Sequence, residues 1–207
     1  MADTSRPPFR GDHVGSLLRP KQVLRARDEF AKGEISAGQL AEIEDAAIRD
    51  IIRKQGEVGL KTVTDGELRR QSWHMDFIYQ LGGMEQVDDN LVHVAFHNKD
   101  KSYEYTPPSA HVTSPISLSN TIFADAFTFL RDNASAGQTP KLTIPSPSMV
   151  HYRGGREAIS KDVYPDMAKF WDDLAAAYAK EVSGLYELGC RYLQLDDTSL
   201  AYVNDPA

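Results

Sequence analysis

Four short stretches concentrate the side chains that could do chemistry: Asp12-His13 with Gly15-Ser16, Asp65 with Glu67, Ser146 with Ser148, and Asp196-Asp197. A Gly-Ser turn offers backbone N–H groups and one hydroxyl, a combination suited to a carboxylate. Glu67 can pair with an ammonium, or it can serve as a helix N-terminal carboxylate facing the macrodipole. His13 either faces a pocket or hydrogen-bonds within its loop. Adjacent strand residues point to opposite faces, so Asp196 is the candidate for the functional face and Asp197 for anchoring a loop. Arg69 and Arg70 could meet an anionic tail of a ligand, and by default they pair with surface carboxylates. The one cysteine, Cys190, excludes an internal disulfide and any zinc site built on two thiolates of these residues. His93 and His97 lie four apart in a strand-like stretch, where that spacing separates them. No metal ligand and no catalytic group is therefore assigned among these residues.

These residues need elements to position them. Residues 9–16 read as an extended segment, followed by a helix near 20–32. Ser36 with Gln39 is a capping-box signature, and Leu40, Ile43, Ala47, Ile51 and Ile52 follow at helical spacing, with an end near Gly56 or Gly59. Thr62, Val63 and Thr64 favour a strand closed by Asp65-Gly66. Residues 68–86 read as a loop with a helical turn, and 87–118 as a small β excursion. Ile122–Leu130 reads as a helix and Lys141–Ile144 as a strand. Pro165–Leu188 is a helix with Met167, Phe170, Trp171, Leu174, Tyr178, Val182, Leu185 and Leu188 on one face, stopped by Gly189. Arg191–Asp197 is the last strand. Cys190 precedes it and packs as a small apolar residue.

Strands alternating with helices imply an α/β fold with a parallel sheet. Each of the four expected strands ends in polar residues, as they do where a (β/α)8 barrel builds its active site. A full barrel takes about 250 residues. The chain has 207 residues and four such strands, so the expectation is the N-terminal half of a TIM barrel over 1–207, carrying the β excursion near 87–118. Half a parallel barrel leaves edges unpaired and apolar faces uncovered. A C-terminal half, or a homo-oligomer, is expected to complete it. The formal charge of −7 argues against nucleic acid and against a polybasic membrane anchor. No run approaches the roughly 18 apolar residues of a membrane span. The N-terminus lacks an apolar signal core, which reads as cytoplasmic.

The motifs DHVGSLLRP (12–20), TDGELRRQSWHMDF (64–77), TIPSPSMVHYR (143–153) and GCRYLQLDDTSLAY (189–202) together resemble the N-terminal half of the catalytic barrel of the cobalamin-independent methionine synthase family. The closer likeness is to its short 5-methyltetrahydropteroyltriglutamate–homocysteine methyltransferase-like members. The resemblance implies methyl transfer from 5-methyltetrahydrofolate to homocysteine, giving methionine. Carried over, Gly15 and Ser16 hold the substrate carboxylate, while Glu67 and Asp196 hold its ammonium. Trp73, His151 and Tyr152, with His13 and Asp197, border the substrate and folate pockets, where aromatic rings could stack on a pterin or belong to the core. The family's zinc keeps the thiol as thiolate, the competent nucleophile. Its ligands, a His-x-Cys pair, a glutamate and a second cysteine, are expected beyond residue 207.

Three other readings stay open. One is alkyl transfer to another thiol such as coenzyme M, whose sulfonate carries no ammonium to meet Glu67 and Asp196. Another is a noncatalytic subunit active only with a C-terminal half. The last is a barrel hydrolase or aldolase using the carboxylates.

Overall fold

A computed structural model describes residues 12–87, 94–97, 102–105, 109–151 and 154–202. They form an α/β protein with parallel strand pairs and divide into two compact units. The first comprises Met1–Trp73, Phe123–Thr143 and Tyr186–Gln194, and the second His74–Ile122, Ile144–Leu185 and Leu195–Ala207.

In the first unit, Pro20 precedes α1 (Lys21–Ala31). Ser36 caps α2 (Ala37–Glu57), accepting from Gln39 N at 3.2 Å while Gln39 Oε1 accepts from Ser36 N at 2.8 Å. That capping box satisfies two amide donors the first helical turn leaves over. Ile48, Ile51 and Ile52 of α2 form the core with Val63, Leu68 and Leu130. Leu130 belongs to α4 (Ala124–Asn133), and Val63 to β1 (Thr62–Val63), which pairs in parallel with β6 (Thr139–Pro140).

One residue later begins β7 (Leu142–Pro145), paired with β8 (Leu193–Asp196). The boundary between the units falls inside both strands. Leu142 N donates to Tyr192 O and Ser146 N to Asp196 O, four residues further along each chain. That in-step advance is the pattern of a parallel pair.

The expected first strand is absent over its described residues, 12–16. The segment nevertheless runs beside β1. Thr62 Oγ1 donates to Asp12, Thr64 Oγ1 donates to Gly15 O, and Leu17 N donates to Gly66 O. Side chains replace all but one of the bonds a ladder would use, because Gly15 at φ +141° breaks the extended course. Among the described residues the parallel strands are thus β1, the interrupted pair β6 and β7, and β8; residues 9–11 of the expected first strand lie outside them.

Lys141, between β6 and β7, has a fully buried side chain. Its ammonium donates to Asp12 Oδ2 at 2.8 Å, Gln194 Oε1 at 2.8 Å, and His13 O. Tyr192 OH donates to the same Asp12 oxygen at 2.7 Å. Burial raises the Asp12 pKa, but bonds from Lys141, Thr62, Tyr192 and His13 outweigh it and hold the carboxyl far below its usual range.

The second unit opens with α3 (Met75–Ile78), the helical turn expected within 68–86. Two antiparallel pairs follow, one nested in the other: β2 (Gly82–Val87) with β5 (Ser109–Ser117), and β3 (Val94–His97) with β4 (Ser102–Tyr105). This β region begins five residues before the expected start. A bulge separates Gly82 from Met84. Gly83 there has φ +90°, and a Cβ on it would lie 2.5 Å from Ser114 O, so the bulge requires glycine.

The long helix is α5 (Met167–Glu187). Phe170, Leu174, Tyr178 and Leu185 are buried on the expected face, whereas Trp171 and Val182 are exposed. Glu181 is turned inward instead, at 0% exposure. Its Oε2 accepts from Ile122 N at 2.8 Å, while Oε1 has no hydrogen-bond partner among the described residues. Burial, opposed only by the Ile122 bond, pushes this carboxyl up to about 7.

Two stability predictions follow from these buried charges. Lys141→Met leaves the Asp12 carboxylate without its cation and is expected to cost on the order of 3 kcal/mol, read by urea denaturation at pH 7. Adding Asp12→Asn should recover part of that loss; no recovery would mean that charge pairing is not what Lys141 contributes. For Glu181, a raised folded-state pKa means the penalty is absent below the unfolded value of about 4.5. It grows as pH rises and is complete above about 7. Glu181→Gln, which keeps an acceptor for Ile122 N, should raise the melting temperature at pH 8 and leave it unchanged at pH 4.5.

Candidate functional site

The turn after β1 carries a buried carboxylate, Glu67. Thr64, Asp65, Glu67 and Arg70 are all buried. Asp65 Oδ1 accepts from Glu67 N at 2.9 Å and Thr64 Oγ1 from Gly66 N at 3.2 Å. Two arginines cap the turn's carbonyls: Arg19 donates to Glu67 O and Arg70 O, and Arg27 to Leu68 O and Arg70 O. So held, Glu67 takes φ +55°. A left-handed backbone at a non-glycine residue costs roughly 1–3 kcal/mol and concentrates at functional sites.

Glu67 as a whole is only 2% exposed. Thr143 Oγ1, from β7, donates to Glu67 Oε1 at 2.7 Å, and Arg70 Nη1 lies 3.8 Å from the same oxygen. Gly15 meets this pair. A Cβ on Gly15 would stand 2.6 Å from Thr143 Cγ2 and 3.6 Å from Glu67 Oε1, so only glycine lets the 12–17 segment approach. Ser16 is exposed, and its hydroxyl makes no hydrogen bond among the described residues. Gly15, Ser16 and Glu67 are thereby brought to one place, with Thr143 among them.

Asp196 closes β8 in the second unit. Alternation places it on the same strand face as Gln194, opposite Leu193 and Leu195. Asp197 lies beyond the strand and is exposed. Its carboxylate accepts from Ser199 Oγ at 2.5 Å and Ser148 Oγ at 2.8 Å, and Ser148 is 2.7 Å from Ser146. The Ser199 hydroxyl chiefly, opposed by burial and helped to a lesser degree by Ser148 and Ser146, holds Asp197 below the usual carboxylate range. The network ties the serines after β7 to the turn after β8.

His13 contacts Gln55 Oε1 through Nε2 at 2.6 Å and Asp12 through Nδ1 at 3.0 Å. Gln55 in turn bonds both backbone groups of Thr64, so the ring braces the segment against β1. Trp73 is half-buried, and its carbonyl accepts from Arg70 at 3.3 Å. His151 packs against Trp171 at 5.2 Å and Phe170 at 6.2 Å. Burial, then the charge of Arg156, pulls its imidazole below the usual value. Tyr152 and His93 lie outside the described residues.

Arg69 pairs with Asp45 and Glu44, as a default surface arginine does. Arg70 does not: it is 4% exposed and bonds Thr143 O at 2.7 Å. Cys190 is buried, its thiol pushed up by burial, the state of an unreactive core cysteine. Among the described residues no three His, Cys, Asp or Glu side chains gather where a metal could be held. These residues therefore do not fit a zinc site. No helix among them is long and apolar enough to cross a membrane.

Thr143, Lys141, Arg70, Arg19 and Arg27 were not among the expected site residues. The polar-apolar alternation of Lys141-Leu142-Thr143-Ile144 could have flagged the first two, since it gives a buried strand one polar face. Nothing local distinguishes the three arginines.

Comparisons with known proteins agree with the motifs. A family model described as cobalamin-independent synthase, catalytic domain, matches residues 11–203. The uncharacterized protein YxjH of Bacillus subtilis (strain 168) is 43% identical over 194 residues, which cover 94% of this chain and 49% of YxjH. A 5-methyltetrahydropteroyltriglutamate–homocysteine methyltransferase of Bifidobacterium animalis subsp. lactis is 28% identical over 192 residues, covering 90% of this chain and 23% of that protein. A Listeria monocytogenes crystal structure, provisionally named a vitamin-B12 independent methionine synthase, superposes with a TM-score of 0.78 at 42% identity, covering 95% of this chain and 54% of that one. The chain thus spans about half the length of YxjH and of the Listeria protein, and about a quarter of the Bifidobacterium one. With a family model matched along nearly its whole length, the chain belongs to the cobalamin-independent synthase catalytic-domain family.

Proposed function

We propose that this chain supplies the amino-acid recognition half of a methyltransferase that moves a methyl group from 5-methyltetrahydrofolate to homocysteine. The observation that carries this reading is Glu67: a buried carboxylate on a strained turn, anchored by Thr143 and set against the Gly15-Ser16 turn. A carboxylate beside backbone N–H groups and a free hydroxyl suits an α-amino acid, which presents an ammonium and a carboxylate on one carbon. Ser16 and the Gly15 turn receive the substrate carboxylate, and Glu67 receives the ammonium. Asp196 is the second ammonium partner in this reading, as the family resemblance implies.

In the same reading residues 1–207 form the N-terminal half of a (β/α)8 barrel, with the antiparallel strands from Gly82 to Ser117 as an insertion. Thiol activation by zinc falls to residues outside those described. The family description and the methyltransferase relative support methylfolate as donor and homocysteine as acceptor.

Steady-state kinetics on the complete gene product test the reading. Glu67→Gln and Asp196→Asn should each raise the homocysteine KM about tenfold or more, the worth of a charged hydrogen bond, with the methyl-donor KM and the zinc content unchanged. An unaltered homocysteine KM in both variants removes the assignment. Preference for coenzyme M over homocysteine would move it to alkyl transfer onto a sulfonate thiol.

A further inference from the structure

Two non-glycine residues among those described have a left-handed backbone, Glu67 at φ +55° and Phe123 at φ +59°. Both meet the same guanidinium. Arg70 lies over the Phe123 ring at 4.2 Å from its centroid, and its Nη1 is 3.8 Å from Glu67 Oε1. Its Nη2 donates to Thr143 O at 2.7 Å, and the Thr143 hydroxyl donates to Glu67 Oε1 at 2.7 Å. Arg70 therefore holds the backbone of the residue whose side chain holds Glu67. Strain at two positions that converge on one buried cation is over-determined by packing rather than incidental.

From this geometry we infer that Thr143 and Arg70 are positioning residues that clamp the Glu67 carboxylate for the substrate ammonium, with Phe123 as the platform under the guanidinium. The inference rests on the proposed role of Glu67 and deepens it. Two groups act on the carboxylate, and a third acts on the guanidinium beside it. The Thr143 hydroxyl fixes the direction of Oε1. The guanidinium supplies a counter-charge at 3.8 Å, outside hydrogen-bond range, so it balances the buried carboxylate without capping that oxygen. The aromatic face attracts the cation and orients the guanidinium fork. Lysine cannot reproduce the arrangement, since it lacks the planar fork that reaches Thr143 O and Glu67 together. Thr143 also touches the Gly15 turn through Cγ2, so the same residue packs against the carboxylate-binding turn and aims the ammonium-binding group.

The clamp acts on the ammonium alone, and this separates it from a merely structural role. The complete gene product is assayed for homocysteine KM, and for competition by 4-mercaptobutyrate, which is homocysteine without its amino group. Thr143→Val should raise the homocysteine KM about tenfold, while kcat, the methyl-donor KM and the 4-mercaptobutyrate inhibition constant stay within about twofold. Thr143→Ser, which restores the hydroxyl, should restore the KM. Arg70→Lys should behave as Thr143→Val does; should it fail to fold, the valine and serine pair decides alone. Equal weakening of both thiols, or no change in either, overturns the clamp. Glu67→Gln separates the two levels. If it abolishes the preference for homocysteine while Thr143→Val preserves it, only the clamp fails. If Glu67→Gln keeps the preference, the reading of Glu67 fails and the clamp with it.

Discussion

The ion pair between Lys141 and Asp12 is the constraint on which the first unit depends. A fully buried ammonium must be paired and hydrogen-bonded, or it costs several kcal/mol. Lys141 meets that demand with groups from three separate stretches of chain: Asp12 and His13, Gln194, and through Asp12 the hydroxyls of Thr62 and Tyr192. Satisfying one cation therefore brings the 12–16 segment alongside β1 and the start of β8. It also explains how residues 12–17 keep their course without a ladder of backbone bonds. Gly15 and Ser16 follow directly from this anchored stretch, so their placement is inherited from it.

A second demand is met by arginine. The turn after β1 is buried, and buried carbonyls need donors. Arg19 and Arg27 supply them to residues 67, 68 and 70, while Arg70 reaches the carbonyls of Trp73 and Thr143. Such saturation permits Glu67 to sit at φ +55°. The serines around Asp197 do comparable work in the second unit, joining the turn after β7 to the turn after β8 through side-chain bonds.

Much of the fold was legible because its signals are local. The capping box at Ser36, the apolar spacing along α2 and α5, and the β-branched run at Thr62 each report on a few neighbouring residues, and each element formed where expected. The departures come from distant contacts. Residues 12–16 have an extended pattern but no ladder, because Thr143 and Glu67 force a glycine turn there. Val182 fits the apolar stripe of α5 and is exposed, while Glu181 lies inside, bonded to Ile122. Arg70 reads as a surface charge because it follows Arg69, yet Phe123, 53 positions away in sequence, makes it a buried one.

By itself the sequence determined the alternation of helices and parallel strands, the concentration of polar groups at strand ends, and the family, because these depend on residue order and on motifs within a dozen positions. The tertiary structure decided which of those polar groups are held and by what. It assigned Lys141 to an ion pair with a residue 129 positions away, seated Thr143 beside Glu67, and buried Arg70 against both. Burial and hydrogen-bond partnership at such separations are properties of the folded chain, set by which segments meet, and no local pattern encodes them.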